Sequence, residues 1–98
     1  MNHYGAKALG HWQAHLPGPL AQVPDQEAFF TLLGETAETE IALLAESLAS
    51  LKPEADEYLK ETARLETARR MAEMEITRDM ILVDPAAPEK VARLLQLA

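Results

Sequence analysis

Apolar residues along this chain recur mainly at intervals of three and four. No run alternates apolar with polar side chains, β-branched residues are scattered, and Ala, Leu, Glu, Arg and Met dominate. The pattern predicts an all-α protein. Proline punctuation divides it into four pieces, roughly 3–16, 25–51, 53–83 and 88–97.

In the first piece Tyr4, Ala8, His11 or Trp12, and His15 or Leu16 share one stripe, with Trp12 as its natural anchor. The following LPGPLAQVP (Leu16 to Pro24) reads as a tether, because its three prolines remove donors and push their predecessors toward extended geometry. Asp25 is placed to cap the second piece, with Glu27 in the first turn, where a carboxylate favours the positive end of the helix dipole. There Phe30, Ala37, Leu44 and Leu51 repeat every seven residues, and Gly34, Ile41 and Leu48 interleave with them. Such alternation of four and three is the seam of a helix packed along its whole length on another.

Pro53 at N1 and the acidic PEADE turn start the third piece. Its apolar set is Tyr58, Leu59, Leu65, Ala68, Ala72, Ile76, Met80 and Val83, with Glu66–Arg70 and Arg69–Glu73 at i, i+4 on the outer face. Two helices of this size form an antiparallel hairpin roughly 40 Å long. Its single seam leaves Phe29, Leu32, Leu33, Leu43, Met71 and Met74 only partly covered. The first helix covers part of that surface, and a second copy would cover the rest in a homodimeric bundle. After DPAAPEK, residues Val91, Leu94, Leu95 and Ala98 have helical spacing. A helix this short either docks on the bundle or orders on a partner, so residues 84–98 read as a docked end or a mobile tail.

At 98 residues the chain is one domain, 1–98, and 48% hydrophobic with 26% charged residues is a globular composition. Without cysteine there is neither a disulfide framework nor a thiolate metal site. The opening MNHYGAKALGHW has no apolar run of signal-peptide length and no segment approaches a membrane span, so the expected location is the cytoplasm. Nine basic against sixteen acidic side chains argue against direct nucleic-acid binding. The acidity is concentrated: Asp25, Glu27, Glu35, Glu38, Glu40 and Glu46 fall on one segment with no basic residue. That face is either solvated surface or a site for a basic partner, although a net charge of −7 is modest for a mimic of DNA. The basic cluster Lys60, Arg64, Arg69, Arg70 is interrupted by Glu61, Glu66 and Glu73 and reads as ion pairing rather than as a phosphate track.

Little here suggests reaction chemistry. The serines, Ser47 and Ser50, sit in or at the end of a helix, and there is no nucleophile elbow or phosphate-cradling glycine loop. His11 and His15 lie four apart on one face, but a stable zinc site needs three or four ligands, leaving His3 or a carboxylate to complete it. The expectation is therefore no enzyme, no metal and no cofactor, with a bundle using His3, His11 and His15 as the metal-binding alternative.

The layout resembles one small family, the TnpV-like proteins encoded in transposons and other mobile elements. The opening Tyr4-Gly5, His11-Trp12 and Leu16-Pro17 match its early Tyr-Gly, aromatic and proline, and RLETARRMAEMEITRDMIL (Arg64 to Leu82) is similar to its closing helix. Glu66, Met74 and Glu75 depart from that helix pattern, where the family has asparagine, glutamate and isoleucine. The resemblance implies a genetic setting, a mobile element or phage, and no catalytic residue. The expected function is thus a non-enzymatic accessory protein that binds protein, either itself or a nucleic-acid-handling component. Glu35, Glu38, Glu46, Val91, Leu94 and Leu95 are the candidate contact residues. The alternative is an inhibitor of a host defence nuclease, of the anti-CRISPR or anti-restriction kind.

Overall fold

The computed structural model describes residues 1–50 and 58–98, and among them every regular element is helical. The elements are α1 (His3–His15), α2 (Pro17–Ala21), α3 (Gln26–Ser50), α4 (Tyr58–Ile76), a π-helical turn (Thr77–Ile81) and α5 (Pro88–Leu95). The expected boundaries at Leu51 and Pro53, and the side chains of Tyr58 and Leu59, lie outside what the structure describes.

Local chemistry accounts for the helix ends. The Asn2 side chain caps α1 by accepting the Gly5 N–H at 2.9 Å. Asp25 does the same for α3, accepting from Ala28 N–H at 3.1 Å. The proline-rich stretch is not the extended tether expected. Pro17–Ala21 turns as a short helix, because both prolines fall in its first turn, where a missing N–H removes no intrahelical bond. Leu16 and Val23 on either side are buried, which pins the connection to the core.

α3 is the spine, packed against α4, α1 and the π turn. Of its heptad, Phe30, Gly34, Ala37 and Ile41 are buried, with Leu44 and Leu48 half-buried. α4 approaches α3 through small side chains, Ala68 and Ala72, and Leu65 turns outward instead of joining them. α1 crosses α3 where Gly5 meets Gly34. A Cβ on Gly5 would strike the Phe30 carbonyl oxygen, and one on Gly34 would lie 2.7 Å from the Gly5 nitrogen. This close crossing seats Trp12 against Phe29 and Phe30, with both ring pairs edge-on at 5.5 Å between centroids.

Of the six apolar residues expected to stay partly covered, Phe29 and Leu33 are buried beneath α1, whereas Leu32, Leu43, Met71 and Met74 remain exposed. The i, i+4 pairs Glu66–Arg70 and Arg69–Glu73 do not close. Glu73 instead accepts the Tyr4 hydroxyl at 2.9 Å, and the ion pairs among the described residues join Arg78 to Glu75 and Asp79, and Lys90 to Asp79.

Candidate functional site

The π turn helps to set the geometry of a groove beside α4. The Leu82 N–H donates to the Thr77 carbonyl at 2.7 Å, a bond spanning five residues instead of four. One additional residue in the turn advances the phase of the helix. The α-helical period from Ala72 and Ile76 predicts Met80 in the core. With the wider turn Ile81 is fully buried and Met80 only half-buried. Past the turn Val83 is also fully buried, and its carbonyl accepts from His11 Nε2 at 2.7 Å. Leu82, between those two core positions, is left facing out.

Upstream, the burial of Ala68 and Ala72 directs Met71 and Met74 outward, 53% and 68% exposed. Met71, Met74, Thr77 and Leu82 line an open groove of about 760 Å³, with Lys7 of α1, Glu75 and Arg78 around it. Arg78 lies 3.6 Å from Glu75 and 3.4 Å from Asp79. Asp79 in turn accepts from Lys90 of α5 at 3.1 Å. That bond, with Arg78 assisting, holds the Asp79 carboxyl below the usual carboxylate range against the opposing effect of its partial burial. Glu73 lines the groove as well; burial and then its carboxylate raise the Tyr4 phenol above its ordinary value, and Arg69 opposes them.

The residues expected to contact a partner divide into two groups. Glu35, Glu38 and Glu46 are exposed on α3, where Glu38 accepts from Asn2 Nδ2 at 3.2 Å. Val91 and Leu94 are buried, and Leu95 is half-buried against the core. These apolar side chains find their cover within the chain, so α5 is docked and its apolar stripe is not a free contact surface.

Of the histidine pair, His11 is committed to the fold and His15 is exposed. His11 and His15 have ring centroids 5.0 Å apart, but the bond to Val83 occupies His11 Nε2. His3 lies instead beside Tyr4, at 3.9 Å between centroids. Among the described residues no group of three His, Cys, Asp or Glu side chains could hold a metal ion. The Ser50 hydroxyl donates to the Ser47 carbonyl at 2.8 Å, a local bond at the end of α3. No described helix is long and apolar enough to cross a membrane.

The groove offers thioethers and leucine at its base with ionic groups at its edge, which is the chemistry of binding an apolar side chain. Its two methionines are visible in the sequence as partly covered residues of α4. Its shape is not, because it also requires Lys7 from α1 and Leu82 from beyond the π turn. No family model, no curated protein and no solved structure matches the chain.

Proposed function

We propose that this chain is a non-enzymatic accessory protein of a mobile genetic element, working in the cytoplasm by binding protein through the methionine groove. The observation that carries the reading is the outward display of Met71 and Met74 on α4. Unbranched, polarizable thioethers adapt to a partner's shape, and a protein that needed only solubility would not expose them side by side. The opening and closing segments that resemble the TnpV-like proteins meet in space through Tyr4 with Glu73, and His11 bonds to Val83 just past the closing one. On this reading α3 and α4 form an antiparallel hairpin, the motif residues hold α1 against it, and copies of the chain associate.

The test is capture from the host's lysate by the tagged chain and by its Met74→Glu variant. Recovery of the element's own recombination or replication proteins, lost in the variant, is the expected result. Equal recovery by both would remove the groove from the function.

One observation favours the second reading, inhibition of a host defence nuclease. Every charged side chain of α3 is a carboxylate, and Glu35, Glu38 and Glu46 are exposed together on it. That reading predicts a complex competed by DNA, weakened by salt and abolished by Glu35→Lys with Glu46→Lys, with no change in melting temperature.

A further inference from the structure

His11 and His15 stand one turn apart on α1, with ring centroids 5.0 Å apart and ring planes inclined at 46°. The bond from His11 to Val83 fixes more than the position of the first ring. A carbonyl oxygen can only accept, so Nε2 carries the proton in that 2.7 Å bond, and in the neutral ring the lone pair is left on Nδ1. Nδ1 has no hydrogen-bond partner among the described residues and is not buried. The His15 ring is exposed and has no hydrogen bond or ion pair among them either. The fold thus holds one imidazole by its far nitrogen and leaves two acceptor rings side by side.

We infer that His11 Nδ1 and the His15 imidazole chelate one divalent transition-metal ion, copper(II) above the others, with water in its remaining positions. The inference is independent of the methionine groove and of what binds there. Separation is the first support. An ion at the usual imidazole distance of about 2.0–2.1 Å lies about 3.2 Å from each ring centroid. Centroids 5.0 Å apart then subtend about 100° at the ion, close to the right angle between neighbouring ligands in the tetragonal sites of copper(II). The second support is the bond to Val83. Histidines that bind metal donate their other ring N–H to a backbone carbonyl or carboxylate, which sets the tautomer and aims the ring. His11 already makes that bond, to a residue that is fully buried and so gives a fixed acceptor.

The ligand count selects the metal. His3 lies near the other end of α1, beside Tyr4, and no third His, Cys, Asp or Glu completes a metal-holding group among the described residues. A closed zinc site needs three or four protein ligands. Copper(II) heads the affinity order of the divalent first-row ions and accepts mixed nitrogen and oxygen ligation, so a two-histidine chelate finished by water suits it best.

Calorimetric titration of the full chain with copper(II) in a non-coordinating buffer tests this, on a His3→Ala background so that the third histidine contributes nothing. One ion per chain is expected, with two imidazole nitrogens in the electron spin-echo spectrum of the bound copper. His15→Ala, at an exposed position, leaves helical circular dichroism unchanged and weakens binding by about tenfold or more. Moving the second histidine then reads the geometry. On the His15→Ala chain, Ala14→His restores binding through its i, i+3 spacing, whereas Gln13→His, at i, i+2 and on another face, does not. Copper(II) also raises the melting temperature of the parent and not that of His15→Ala, because only the folded helix presents the pair. Three results overturn the inference: no stoichiometric binding at up to about 100 µM copper(II), binding that His15→Ala leaves unchanged, or equal restoration by both relocated histidines. Each would assign the ion to other groups or to none, and each leaves the capture of proteins by the groove to be read separately from the lysate.

Discussion

A methyl group added at Gly34 would lie 2.7 Å from the Gly5 nitrogen and against the capping oxygen of Asn2. Two of those obstacles are fixed, one as backbone and one as the cap that starts α1, so α1 has to lift off α3. Alanine improves helix propensity by about 1 kcal/mol, but overpacking typically costs about 1–3 kcal/mol and here displaces a whole helix. Gly34→Ala is expected to lower the melting temperature by roughly 10 °C, on a scale of about 4–8 °C per kcal/mol for a domain of this size. Gly10→Ala, the same substitution on the exposed side of α1 with nothing within 4 Å, is expected to raise it by a few degrees. Paired thermal melts check both signs. The heptad spacing places Gly34 correctly in the core but says nothing of its neighbour. It faces α1 rather than α4, and that depends on a crossing that no periodicity within α3 encodes.

At the scale of elements, the helices and their breaks are largely legible in the sequence, since caps, prolines and apolar spacing act within a few residues. The two departures come from phase and context. The prolines of α2 sit in a first turn that tolerates them. The π turn has no composition of its own and shows only in the burial of Ile81 in place of Met80. That turn carries Asp79, and Asp79 holds α5 through Lys90, so the C-terminal helix should loosen with acid. The depressed Asp79 carboxyl contributes stability that is present above its unfolded value, about 3.9, and lost as pH falls through its lower folded value. Both partners are more than a third exposed, so the effect is confined to α5. Hydrogen exchange at the amides of residues 91–97, corrected for intrinsic rates, is expected to rise severalfold below about pH 4. Asp79→Asn should show the faster exchange already at neutral pH and lose its acid dependence.

At the scale of the whole molecule, the sequence makes α1 an amphipathic helix that docks on a hairpin, a peripheral part. The structure gives it a central one. Trp12 is fully buried between Phe29 and Phe30, and Tyr4, Ala8 and Leu16 are buried with it. His11 and Tyr4 tie the same helix to Val83 and Glu73, far along the chain. Without α1 the α3–α4 pair would expose two phenylalanines and Leu33, and the tight crossing at Gly34 would become a notch. Losing Trp12 alone would cost about 3–5 kcal/mol. With the other three side chains the loss approaches the total stability of a small domain, about 5–15 kcal/mol. A chain beginning at Pro17 is therefore expected to retain helical circular dichroism but to lose its cooperative transition in calorimetry, in the manner of a collapsed helical globule. A sharp transition lowered by only a few degrees would instead make α3 and α4 sufficient for the fold and α1 a cover. The long-range partners of Trp12 are why this role is not readable from residues 1–16 themselves: an aromatic on an amphipathic stripe looks the same in a helix that covers a core and in one that completes it.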